Sequence, residues 1–344
     1  MIMSDTLRVG VLGLTHDHIW GEAEALAKCE ETNIVAAADP NTPLTTRFAE
    51  QFGCPTYASA DALLESESLD AVYVFGSNRE GAELAVEALK RGLHVVVEKP
   101  MAADLDGANR MVAAAKESGA QLIVNWPFSW WPQLQKALDL ALSGEIGEVI
   151  SVTYRSAHAG PAELGCSEYF CDWLYDAHRN GAGAMMDYCC YGSVLAAALM
   201  GVPESVVGMR GGQVKTHLSV EDSGMIAMKY AKGMATATAS WTQIGDMTSY
   251  YTGIYGTKGT LWVEPYGDGK LYWATNDNKM GEVVEVPAAP EWLTNSATHL
   301  AEVAKRGREP WLLNQGGFSR DAQEILEAGI RSAKSGEQVA LPLR

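Results

Sequence analysis

Positive charge is scarce in this sequence: 26 lysines and arginines stand against 43 aspartates and glutamates, a formal net charge of −17 over 344 residues. An acidic surface repels phosphate backbones, which argues against a nucleic-acid partner. A small anionic cofactor stays compatible, because backbone amides at a helix N-terminus bind anions locally. Cysteine is sparse too, and Cys29, Cys54, Cys166, Cys171, Cys189 and Cys190 show no C-x-x-C spacing. Free thiols in a reducing cytoplasm are therefore expected. Long apolar runs are missing. Stretches such as Val95–Val97 and Ser193–Met200 fall well short of the about 20 residues of a spanning helix. Met1–Thr6 has no basic segment leading into an apolar one, so neither a membrane span nor a leader peptide is expected. With 47% hydrophobic and 20% charged residues and no repeat, the composition excludes disorder and coiled coil. At 344 residues the chain exceeds one compact core, since single cores stop growing at about 250–300 residues; two domains are expected.

The first third alternates two periodicities. Short apolar runs at Leu7–Leu12, Asn33–Ala38, Ala71–Phe75, His94–Val97 and Gln121–Val124 suit strands buried on both faces. Between them lie amphipathic stretches: Leu44–Phe52 after Thr42-Pro43, Ala82–Lys90 before Arg91-Gly92, and Leu105–Glu117 before Ser118-Gly119. Their flanks carry helix start and stop signals. This βαβ alternation predicts a doubly wound parallel sheet. After about Asn125 the pattern changes. Trp130–Leu142 reads as one helix, Val149–Arg155 as a strand, Gly160–Gly183 as irregular and Ala184–Met200 as a helix. Seven strand-like segments follow between Ser205 and Val286, then two helices, Glu291–Arg306 and Phe318–Ser335. Strands in that order predict an open, mostly antiparallel sheet with helices for one face only. Met225, Ile226, Met228, Trp241 and Tyr251 are expected near the uncovered face, an apolar patch of the kind that marks an interface.

Four segments could carry chemistry. Gly13-Leu14-Thr15-His16-Asp17-His18 follows the first strand, where a G-x-G-x-x-G dinucleotide loop belongs. Only Gly13 matches, so an ordinary βα turn stays open. Asp39 ends the second strand, where an acid can accept from a ribose hydroxyl; no arginine follows at once, although Arg47 lies further along. His16 and His18 at i, i+2 are read as hydrogen-bonding turn histidines rather than metal ligands, because no third donor beyond Asp17 lies nearby in sequence. Glu98-Lys99-Pro100 closes the fourth apolar run; a lysine there points into the ligand crevice of such a sheet or forms a surface ion pair. Asp187 and Tyr191 at i, i+4 share a helix face, either as an acting pair or as packing.

Together these segments resemble the Gfo/Idh/MocA oxidoreductases, the family of glucose-fructose oxidoreductase and inositol dehydrogenase. The resemblance rests on Val9–Gly13, Val35–Pro40, the E-K-P segment within Gly92–Pro100, Gly181–Asp187, Gly256–Leu261 and Asp321–Pro342. It implies a Rossmann domain over 1–126 and an α/β domain over 127–344 with a large open sheet. In that arrangement the C-terminal helix packs back on the first domain. It implies a nicotinamide cofactor at Gly13, Thr15, His16, Asp39, Asn78, Glu98 and Lys99, with NAD favoured over NADP by Asp39. Catalysis falls to Lys99, Asp187 and Tyr191, and substrate binding to these three with Arg155, His158 and Trp173. Tyr169, Asp172 and His178 belong to the same pocket-lining stretch. The implied substrate is a sugar, glycoside or cyclic polyol, and the implied assembly a cytoplasmic homodimer or homotetramer without metal. Aldose or ketose reduction, dihydrodiol oxidation and a non-catalytic NAD-binding sensor are the alternatives. The chain departs from the family at Tyr191, where histidine is usual, at Gly81, and in its reduced glycine loop. Tyr191 is expected to exchange the hydroxyl proton, with Lys99 lowering its phenol pKa from about 10.

Overall fold

The computed structural model describes residues 6–343; except for Thr6, the leader reading of Met1–Thr6 concerns positions outside that range. The apolar runs of the first third form β1 (Leu7–Leu12), β2 (Thr32–Ala38), β3 (Thr56–Tyr57), β4 (Ala71–Val74), β5 (His94–Glu98) and β6 (Leu122–Asn125). The intervening helices are α1 (His18–Lys28), α2 (Thr42–Phe52), α3 (Ala60–Ser66), α4 (Asn78–Lys90) and α5 (Leu105–Ser118). The strands pair in parallel in the order β3-β2-β1-β4-β5-β6. The order reverses between β1 and β4, and there the strand ends open a crevice. The short β3 and α3 were not among the predicted elements, although Ser59 caps α3 by accepting from the Ala62 amide.

The rest of the chain runs α6 (Pro132–Leu142), β7 (Val149–Ala157), α7 (Glu168–Leu174), α8 (Ala177–Asn180), α9 (Ala184–Met200), β8 (Ser205–Arg210), β9 (Ser223–Lys229), β10 (Met234–Ser240), β11 (Tyr251–Gly256), β12 (Gly259–Val263), β13 (Leu271–Thr275), β14 (Glu282–Val284), α10 (Ser296–Arg306), α11 (Gly316–Ser335) and β15 (Val339–Ala340). Its nine-stranded sheet has the order β14-β13-β12-β11-β7-β10-β9-β8-β15. All pairs are antiparallel except β7 with β10. A parallel sheet followed by an open, mostly antiparallel one is the predicted fold class.

Three predicted elements differ. Trp130–Leu142 is not one helix: a 3-10 turn, Pro127–Trp130, precedes α6, because Pro132 forces Trp131 extended (φ −88°, ψ 114°). The supposedly irregular Gly160–Gly183 holds α7 and α8, each capped by a side chain, Ser167 and Asp176. Glu291–Arg306 splits into a 3-10 turn, Glu291–Leu293, and α10, whose cap Asn295 accepts from Ala297 and Thr298 amides.

α9 and α11 cover one face of the large sheet. Strand alternation corrects the expected open face. Ile226 and Met228 turn toward the helices, and Trp241, just past β10, is fully buried. The other face carries Met225 and Tyr251 with the exposed Val207, Met209, Met234 and Trp262, the last stacked on Tyr272. Residues 177–200 would pass for a membrane span by length and composition, but 83% of an 18-residue window within them is buried inside the protein. α11 also packs on α5 and β6, while α10 sends Ala297, Leu300 and Val303 into the core shared with Val9, Val11 and Val96.

Candidate active site

A strand of the first sheet and a helix packed on the second meet at the site. β5 delivers Lys99 at its carboxyl end, followed by a cis Pro100. α9 delivers Asp187 in its first turn, where the helix dipole favours a carboxylate. Small residues let α9 lie close on the sheet: a Cβ at Gly192 would fall 2.6 Å from that of Ala237 and 3.0 Å from that of Tyr154. The N-terminus of α9 has no cap of its own. Glu221 supplies one, accepting from the Gly183 and Met185 amides at 2.8 and 3.2 Å.

Lys99 Nζ donates to Asp187 Oδ1 at 2.8 Å and lies 3.4 Å from the Asp187 carbonyl. Trp241 Nε1 donates to Asp187 Oδ2 at 3.1 Å, so the carboxylate is held from both sides. Burial alone would lower the pKa of Lys99; the Asp187 charge outweighs it and raises the pKa, so the ammonium stays charged. The pair borders a cavity of about 270 Å³, lined by Tyr154, Tyr188, Tyr191, Tyr250, Tyr266, Trp131, Phe128, Phe170, His18 and His158 among others.

Lys99, Asp187, Tyr191 and His158 are thus brought together. Tyr191 behaves otherwise than expected. Lys99 Nζ lies 5.0 Å over its ring centroid, and burial, then Cys190 and Glu98, push the phenol well above its ordinary value. A neutral phenol is a hydrogen-bond donor, not a base. Arg155 is not in the cavity: on β7 its neighbour Tyr154 points inward, so Arg155 takes the opposite face. Trp173 is fully buried beneath the glycine loop, 5.6 Å from the His16 ring, and its Nε1 meets the Thr15 carbonyl at 3.4 Å. Asp172 is exposed and paired with Arg179, and Tyr169 and His178 do not line the cavity. The sequence reading left His18 as a turn histidine, did not assign Trp131 to the site, and missed Tyr154, Tyr188, Tyr250 and Tyr266. Trp131 had a signal in the proline after it; Tyr250 and Tyr266 sit at positive φ (55° and 66°), which no residue type announced.

The crevice beside this cavity suits a dinucleotide. Gly13 has φ 87°, and a Cβ there would meet the Gly76 amide nitrogen at 2.7 Å, so the β1 loop approaches the β4 loop this closely only with glycine at position 13. A Cβ on Gly76 would stand in open space, its nearest neighbour the Gly81 nitrogen at 4.0 Å, which leaves room for a ligand backbone. Asp39 Oδ2 accepts from the Leu14 amide at 2.7 Å and Oδ1 from Asn41 at 2.8 Å, fixing loop to strand end. Two expected cofactor contacts are engaged elsewhere. Asn78 Nδ2 donates to Asn180 of α8 at 2.8 Å. Glu98 Oε1 lies 3.0 Å from His18 Nδ1, and Oε2 accepts from Asn125 at 2.8 Å. His16, His18 and Glu98 bring donor atoms within 4.8 Å of one another, so a third donor absent from the local sequence is present in space. Hydrogen bonds commit them to each other: His16 Nδ1 accepts the His18 amide at 3.2 Å, and burial, then His18 and Lys99, hold His16 neutral.

The comparisons bear on the family and the fold. Residues 7–126 match the model described as oxidoreductase family, NAD-binding Rossmann fold, and residues 134–262 match that of the GFO/IDH/MocA C-terminal domain. The dTDP-3,4-didehydro-2,6-dideoxy-alpha-D-glucose 3-reductase of Actinomadura kijaniata is 33% identical over 206 residues, spanning 60% of this chain and 59% of that protein. The D-xylose 1-dehydrogenase (NADP(+)) 2 of Haloferax volcanii is 28% identical over 328 residues, 93% of this chain and 92% of its own. The WlbA dehydrogenase from Bordetella pertussis, solved in complex with NADH and UDP-GlcNAcA, superposes with a TM-score of 0.80 at 22% identity. That match covers 98% of this chain and 100% of the other, a likeness of fold alone. This chain belongs to the Gfo/Idh/MocA family of oxidoreductases.

Proposed function

We propose that the protein is an NAD-dependent oxidoreductase acting on a carbinol carbon of a sugar, glycoside or cyclic polyol. The observation that carries this reading is the Lys99 ammonium, 2.8 Å from Asp187 at the wall of a tyrosine-lined cavity of about 270 Å³. Ligand sites for drug-sized molecules run to about 300–1,000 Å³, so the cavity suits a single ring. Flat aromatic faces match the C–H faces of such a ring, and the relatives above are named for sugar substrates.

Bound nicotinamide would supply hydride acceptance and donation. Lys99 polarises the substrate oxygen in either direction, and Asp187 aims the ammonium. Tyr191 serves as a neutral donor to a substrate oxygen. Asp39 supports NAD over NADP: its carboxylate would repel a 2′-phosphate, and Arg47 is occupied, its guanidinium 3.7 Å over the Trp20 ring. Residues 1–126 then hold the cofactor and 127–344 the substrate. The uncovered sheet face favours a homodimer or homotetramer, and six unpaired cysteines favour a reducing cytoplasm. A panel of sugars and polyols with NAD and NADP, followed by reduced-nicotinamide absorbance, tests the reading; NAD binding with no turnover of any of them would favour the sensor alternative.

A further inference from the structure

A substrate hydroxyl that loses hydride from its carbon must also lose its proton, and in the Lys99–Asp187 pair both carboxylate oxygens already accept, Oδ1 from Lys99 and Oδ2 from Trp241. A charged lysine has donors only. Burial pushes the phenols of Tyr188, Tyr191 and Tyr250 upward. Burial pushes His158 downward, and its Nδ1 already accepts the Gly160 amide at 2.8 Å.

His18 differs from all of these. It is the first residue of α1, it lines the same cavity as Lys99, and 43% of its side chain is accessible. Its Nδ1 is 3.0 Å from Glu98 Oε1, which leaves Nε2 for a ligand. The carboxylate behind it is itself anchored. Asn125 Nδ2 donates to Glu98 Oε2 at 2.8 Å and to Glu22 Oε1 at 3.0 Å, Trp130 Nε1 donates to Asn125 Oδ1 at 3.2 Å, and Ser296 donates to Glu22. An imidazole backed by a fixed carboxylate has its tautomer set and its cation stabilised.

We propose that His18 is the proton-exchanging residue of this site, with Glu98 as its positioning partner, an inference that rests on the oxidoreductase reading above. In oxidation the carbinol O–H gives its proton to His18 Nε2 while the C–H electron pair departs as hydride to the nicotinamide. The C=O bond forms, and the imidazolium releases its proton to water; reduction reverses each transfer. The charged and titratable groups facing His18 are Glu98 and Lys99 from the end of β5, Glu22 from α1 and His16 from the preceding loop. Burial lowers the pKa of His18, but the charge and hydrogen bond of Glu98, helped by Glu22 and opposed by Lys99, raise it above the ordinary histidine value.

Two measurements test this. Histidine-resolved NMR titration of the cofactor-free protein should place the His18 midpoint above about 6.5, and Glu98→Gln should move it down. In pH profiles of kcat/KM for oxidation, His18→Asn should lose the acid limb and about 10²–10⁴ in rate, with NAD affinity by calorimetry little changed. Glu98→Gln should shift that limb to lower pH. A midpoint unmoved by Glu98→Gln, or an acid limb that survives His18→Asn, overturns the proposal. A wild type that turns over no sugar or polyol instead overturns the reading beneath it; the two failures are distinguishable because the NMR titration needs no substrate.

Discussion

Lys99→Met separates the structural from the chemical role of the central ion pair. Lys99 and Asp187 keep only 4% and 8% of their side chains exposed. Removing one member of such a pair strands a buried charge, at about 3–5 kcal/mol. Asp187 still accepts from Trp241 Nε1 at 3.1 Å, which places the loss at the lower end, about 3 kcal/mol. Adding Asp187→Asn removes the stranded charge and keeps an acceptor for Trp241, so the double variant should regain roughly 2 kcal/mol. Urea unfolding of wild type, both singles and the double, analysed as a double-mutant cycle, gives these values. Turnover should not recover with stability, because the ammonium proposed to polarise the substrate oxygen is absent from both Lys99→Met proteins; the loss should be about 10²–10³. A Lys99→Met protein destabilised by less than about 1 kcal/mol, or one destabilised further by Asp187→Asn, would show that Lys99 does not neutralise a buried Asp187 charge.

Three other outcomes are expected. Competing titrations should show tighter NAD than NADP binding, and Asp39→Ala should narrow the gap while costing about 1–3 kcal/mol for the Leu14 and Asn41 donors left unpaired; equal NADP affinity in the wild type would count against Asp39 as the discriminator. Light scattering at micromolar concentration should show a dimer or tetramer, and Met225→Asp with Tyr251→Asp on the open sheet face should yield monomer; a monomeric wild type removes the interface reading. Tyr191→Phe should cost about tenfold in kcat/KM, the worth of one neutral hydrogen bond, without moving the pH profile; loss of a titrating limb would return the phenol to the role of base.

The strands of the first sheet other than the two-residue β3 were legible because burial on both faces leaves unbroken apolar runs, as in Val95–Val97 of β5. Lys99 and Asp187 were legible because one ends such a run and the other opens a helix behind small residues. The aromatic wall was not, since Trp131, Tyr154, Tyr188, Tyr250 and Tyr266 come from separate segments joined only by tertiary folding. Arg155 was misplaced by one residue of strand parity: β7 alternates between cavity and open face, and the sequence does not say which parity faces in. Trp173 was misread because aromatics serve packing and stacking alike. His18 stands where the loop motif has its third glycine, and its partner Glu98 is eighty residues away, a proximity that only the β1–β4–β5 order creates.

Hydride transfer from a sugar-like carbinol carbon to nicotinamide under the control of Lys99 is the reaction proposed for this site. The direct measurement is transfer of deuterium from a carbon-deuterated sugar or polyol substrate into the reduced cofactor, followed by mass in wild type and in Lys99→Met. One deuterium per reduced nicotinamide is expected in the wild type, with about 10²–10³ slower transfer in Lys99→Met. Reduced cofactor without label, or unchanged transfer in Lys99→Met, would contradict it.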